Sequence, residues 1–76
     1  MKNLQFILHE NVESFGENGE MLPDKVSTLG VKFDFGGEWY GDYIVISKPS
    51  VTVQDVMEAL EQLSPRILKA MKEANL

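Results

Sequence analysis

Leu29, Val31, Phe33 and Phe35 alternate with Gly30, Lys32 and Asp34, and the run ends on Gly36-Gly37. A period of two between apolar and polar residues marks a strand with one buried face. The glycine pair turns the chain, and a partner strand follows from about Trp39 to Lys48, stopped by Pro49 and Ser50. Whatever else the chain does, it must be built around this antiparallel hairpin. Residues 33–46 hold five of the seven aromatic side chains. The hairpin is therefore expected to be mostly core, with an interaction surface as the surplus.

Two registers compete. A two-residue Gly36-Gly37 turn sets Phe33 opposite Tyr40, Val31 opposite Asp42 and Leu29 opposite Ile44, which puts Glu38 and Asp42 on the face of the phenylalanines. A three-residue loop, Gly36 to Glu38, sets Phe35 opposite Trp39, Val31 opposite Tyr43 and Lys32 opposite Asp42. Turn chemistry favours the first and patterning the second. A buried carboxylate costs more than an imperfect turn, so the second is expected. In that register Trp39, Tyr43 and Val45 point to the helix near Phe33, Phe35 and Leu60, and Tyr40, Ile44 and Ile46 face outward.

Leu4, Phe6 and Leu8 alternate with Gln5, Ile7 and His9, which reads as a first strand. "ESFGENGEML" (residues 13–22) follows, a loop or frayed hairpin in which Asn18-Gly19 is the dipeptide of two-residue type I′ turns. Pro23-Asp24 marks another turn. Thr52, with Asp55 three residues on, caps a helix, and Val53, Val56, Met57, Leu60, Leu63, Ile67, Leu68 and Met71 recur at helical spacing. Pro65 either kinks this helix or starts a second one. The expected fold is α+β: a small antiparallel sheet of three, possibly four, strands with a C-terminal helix, kinked or broken near Pro65, on one face.

Seventy-six residues make a single domain, 1–76, of marginal size, and without cysteine no disulfide supports it. Lack of cysteine also makes a reducing cytoplasm the expected compartment. There is no apolar stretch long enough for a signal peptide or a membrane span, so no membrane partner is expected. The net charge is −5, and five acids lie between Glu10 and Lys25. Such a surface repels phosphate backbones and suits a basic protein, so direct nucleic-acid binding is not expected.

Chemistry is sparse. His9 is the single histidine and there is no cysteine, so the common zinc ligand sets cannot be assembled, and with no other base beside it a nucleophile–base–acid triad is not expected. His9-Glu10 begins like a metalloprotease motif, but residue 13 is Glu where the second His belongs. Gly36-Gly37 lacks the Lys-Ser/Thr of a phosphate loop. No catalytic residue, metal or cofactor is expected, and the chain is read as no enzyme. It is read instead as a small acidic protein-binding module whose partner has a basic surface. The concrete form is an inhibitor, of the type phages and mobile elements direct against host defence, CRISPR systems included, blocking a nucleic-acid-handling enzyme. Glu13, Glu17, Glu20 and Asp24 would orient the encounter, and Trp39, Tyr40, Asp42, Tyr43 and Ile44 would form the contact. The alternative is an assembly subunit, possibly a homodimer, joined through the sheet face the helix leaves uncovered.

Overall fold

The computed structural model describes residues 2–74, with Phe35 and Ala74 described by their backbone alone. Three strands, β1 (Lys2–Val12), β2 (Val26–Phe35) and β3 (Glu38–Ile46), precede one helix, α1 (Val53–Ala74). The strands form an antiparallel sheet in the order β1-β2-β3, and α1 packs on one face of it. The α+β reading holds, with three strands.

The β2–β3 register is the one that turn chemistry favoured. Phe35 pairs with Glu38, Phe33 with Tyr40, Val31 with Asp42 and Leu29 with Ile44. Gly36 and Gly37 adopt φ of 63° and 85°, as a two-residue type I′ turn requires at both positions. The expected three-residue loop is therefore wrong, and Lys32 lies across from Gly41 rather than Asp42. The penalty that argued against this register is met by tertiary structure. Asp42 is about three-quarters buried on the helix side, where Arg66 Nη1 approaches its Oδ1 at 3.4 Å. Glu38 is exposed at the hairpin tip.

One consequence reverses every orientation on β3. Tyr40, Ile44 and Ile46 face the helix, and Trp39, Tyr43 and Val45 face away from it. Leu29, Ile44, Ala59 and Leu63 form the core, flanked by Ile46, Val56, Leu60 and Ile67. Val31 and Phe33 are buried further along β2, and the Phe33 ring lies 5.1 Å from that of Tyr40. The expected place of the Phe35 side chain lies outside the described residues.

β1 carries two bulges. Asn3 and Asn11 adopt φ of 56° and 55°, at the two points where its register with β2 shifts. Asparagine tolerates this left-handed region better than other residues with a side chain. Beyond β1 the chain makes a short hairpin closed by a Phe15–Met21 bridge. Asn18-Gly19 does not form the type I′ turn its sequence suggests. Gly19 N donates to Gly16 O and Gly16 N to Glu20 O, and only Gly19 has positive φ. That is a type I turn followed by a left-handed glycine, the usual three-residue hairpin loop.

The 47–52 connection crosses the end of β2 and is pinned on both sides. Ser27, fully buried, donates to Lys48 O, Asn11 N donates to Pro49 O, and Val51 N donates to Glu10 Oε2. Thr52 and Asp55 then form a reciprocal cap: Asp55 N donates to Thr52 Oγ1, and Thr52 N to Asp55 Oδ2. The helix runs through Pro65 without a break. Pro65 is exposed, so the Glu61 carbonyl that it deprives of a donor lies towards water.

Candidate functional site

Alternation along the strands fixes what each face of the sheet presents. The face away from α1 carries the rows Gln5–Lys32–Gly41, Ile7–Gly30–Tyr43 and His9–Thr28–Val45, with Asp34 and Trp39 at the turn end. Nothing in the described chain covers it. Trp39 is 56% exposed, Tyr43 62% and Val45 54%. Ile7, Gly30, Lys32, Trp39, Gly41 and Tyr43 line a shallow depression of about 470 Å³.

The floor of that depression is glycine backbone. Neither Gly30 nor Gly41 has positive φ, and a Cβ at either would meet its neighbours no closer than 3.6 Å. The fold itself therefore does not require glycine at these positions, and glycine weakens a strand interior. What the two glycines do is keep the ground between Ile7, Tyr43 and Trp39 low. Lys32 Nζ sits 4.9 Å from the centre of the Trp39 ring and holds that ring at the rim.

The residues expected to act together fall in three places. Trp39 and Tyr43 share the outer face. Tyr40, Asp42 and Ile44 are on the helix side, where Ile44 is core and Asp42 meets Arg66. Burial first, and then the nearby Asp42 carboxylate, raise the Tyr40 hydroxyl above its ordinary pKa. Glu13, Glu17, Glu20 and Asp24 belong to the exposed hairpin beyond β1, at the opposite end of the sheet from Trp39. From Val26 to Asp34 the separation is about 26 Å at roughly 3.3 Å per strand residue. Glu10, the first acid of that run, bonds the 51–52 backbone instead.

Sequence reading missed Ile7 and Val45 as surface residues, along with Phe15 and Met21, which stand exposed among the hairpin acids. For Ile7 the signal was present. It occupies a polar position in the Leu4-Phe6-Leu8 alternation, which places it on the other face.

Among the described residues no three His, Asp or Glu side chains are grouped to hold a metal ion, and no helix is long and apolar enough to cross a membrane. No protein-family model, curated protein or solved structure matches the chain at a significant level.

Proposed function

We propose that the chain is a small, acidic, non-catalytic binding module that occupies the surface of a partner protein. The observation that carries this reading is the outer sheet face, where two aromatic residues stand more than half exposed around a glycine floor. Tyr and Trp are the side chains that most often anchor interfaces, because they bury large area at low cost in conformational freedom. A depression between them accepts a side chain or a short extended segment. The four acids of the hairpin steer a basic partner from a distance, which does not require them to share the contact. A basic groove that otherwise holds nucleic acid has the matching charge, so inhibition by occlusion is the concrete form of the reading.

The test is capture from extracts of the native host with wild type and with the Trp39→Ser/Tyr43→Ser double variant, retained proteins being identified by mass spectrometry. A protein held by wild type and lost from the variant, whose thermal unfolding matches wild type, supports the outer face. If the two retain the same proteins equally, the outer face is not the contact.

A further inference from the structure

β1 and β3 are the two edges of the sheet, and they are finished differently. On β3, Asp42 Oδ1 accepts from Tyr43 N at 2.7 Å, and Arg66 Nη1 donates to Tyr43 O at 3.3 Å. Both main-chain groups of Tyr43 are occupied, and a charged pair stands at mid-strand. Charged side chains of this kind keep an edge from pairing with another chain.

β1 carries a bulge near each end, but the stretch between them, Leu4 to His9, has no such protection. Among the described residues no side chain bonds its backbone from Lys2 to Glu10, and the Asn11–Pro49 bond lies beyond that stretch. Leu4, Phe6 and Leu8 on the helix side and Ile7 on the outer side are all exposed, Phe6 by 54%. No Cα of α1 comes within 8 Å of a described Cα of β1, and the helix leaves these side chains about half exposed. A long apolar edge with free main-chain groups is a template for a further strand.

We infer that β1 pairs with β1 of a second copy, antiparallel about a two-fold axis through Phe6, so that two protomers share a six-stranded sheet. The apolar row on the helix side selects this occupant, because Leu4 and Leu8 stand symmetrically two residues either side of Phe6. The axis sets Phe6 against the partner's Phe6 and Leu4 against the partner's Leu8. At the ends the bulge at Asn3 turns Lys2 to the outer face beside Asp34 while Glu10 reaches the 51–52 backbone, so the two-fold axis brings Lys2 and the partner's Glu10 together as unlike charges at each end rather than as a direct cross-strand pair. Antiparallel pairing also sends the two acidic hairpins to opposite ends of the sheet, which keeps the like charges of two −5 chains apart.

Surface area points the same way. A compact monomer of 8.6 kDa exposes about 4,700 Å² by the usual scaling of surface with mass. This protomer exposes 5730 Å². The excess of about 1,000 Å² is comparable to the roughly 800 Å² that each partner buries in a stable interface of ordinary size. This proposal goes beyond the binding-module reading, since it uses the strand edge and leaves both Trp39–Tyr43 depressions open.

Sedimentation equilibrium of the full chain from 1 to 300 µM tests it. Wild type is expected at twice 8.6 kDa in the upper part of that range, dissociating on dilution. Phe6→Lys should be monomeric throughout with an unchanged far-ultraviolet circular dichroism spectrum, and Trp39→Ser should dimerise like wild type. Lys2→Glu and Glu10→Lys should each self-associate about fivefold more weakly, and their equimolar mixture should recover the wild-type association, since both end pairs are restored in the mixed dimer. Glu10 also accepts from Val51 N. If Glu10→Lys fails to fold, Lys2→Glu alone must still weaken the dimer. A wild type that stays monomeric at 300 µM overturns the proposal, as does a dimer that Phe6→Lys leaves intact. Loss of the dimer in Trp39→Ser with retention in Phe6→Lys would place the contact on the outer face and overturn it equally.

Discussion

Ile44 and Val45 are neighbours on β3 with opposite fates. Ile44 is packed with Leu29, Ala59 and Leu63, whereas Val45 stands in solvent on the outer face. Ile44→Ala removes buried methyl groups and leaves a cavity, which should cost about 2–4 kcal/mol of unfolding free energy in urea titrations. Val45→Ala should cost less than about 1 kcal/mol, because the methyl groups it removes are already hydrated. Equal losses for both would mean that the β2–β3 register is other than described. Asp42 shows how the same strand tolerates a carboxylate on its inner face. Its Oδ1 meets both Arg66 and the Tyr43 amide, so the group is partnered wherever it is shielded from water.

At the scale of elements, the start and the middle of α1 raise separate questions. The start is set by the Thr52–Asp55 cap, and Lys48 adds a 2.8 Å ion pair to Asp55. The hydrogen bond from Lys48, and then that from the Thr52 backbone, hold the Asp55 carboxyl below its ordinary pKa. Its hydrogen bond to Asp55 in turn raises Lys48. With the Asp55 value depressed in the fold, its contribution is fully present above the ordinary aspartate range, about pH 4, and is lost as pH falls through the folded value. Asp55→Asn should therefore flatten the acid limb of a stability–pH curve below about pH 4, measured by chemical denaturation. An acid limb identical to wild type would leave the cap without electrostatic weight.

The middle of α1 contains Pro65 on its exposed side, and the helix continues on both flanks. Proline there supplies no amide to the Glu61 carbonyl and disfavours helix by up to about 3 kcal/mol relative to alanine. Since no second helix starts at Pro65, Pro65→Ala should stabilise the protein by about 1 kcal/mol or more. In a domain of this size that raises Tm by roughly 4–8 °C per kcal/mol. A fall in Tm would show that the proline shapes α1 to the sheet, and that straightening it pulls side chains such as Ile67 from the core.

The whole molecule is extended. Its radius of gyration is 14.3 Å, against about 11 Å for a compact chain of this length. The reason is that one helix serves a three-stranded sheet and lies along β3 and β2, while the acidic hairpin projects past β1. The acidic hairpin and the Trp39–Tyr43 face are thereby separated, and the part proposed for each can be tested alone. Changing Glu13, Glu17 and Glu20 to Gln should slow association with a basic partner several-fold at low salt and flatten its salt dependence. Thermal stability should stay within about 0.5 kcal/mol of wild type, because exposed loop charges contribute little to folding. An unchanged association rate would reduce the hairpin acids to a solubility device.

The elements were legible in the sequence because their signals are local. Alternation marked β1 and β2, the glycine pair marked the turn, Thr52 and Asp55 marked the cap, and helical spacing marked α1, with one kinked helix and two helices both open at Pro65. The faces of β3 were not legible. A one-residue change of register exchanges every side chain between the two faces, and the choice depended on whether a carboxylate at residue 42 could be shielded. The answer lay in Arg66, 24 residues further along and on another element. No window of sequence holds that pair together; only the docking of α1 on β3 does. That docking put Ile44 in the core and Trp39 and Tyr43 in solvent, and so it decided which residues are free to meet a partner.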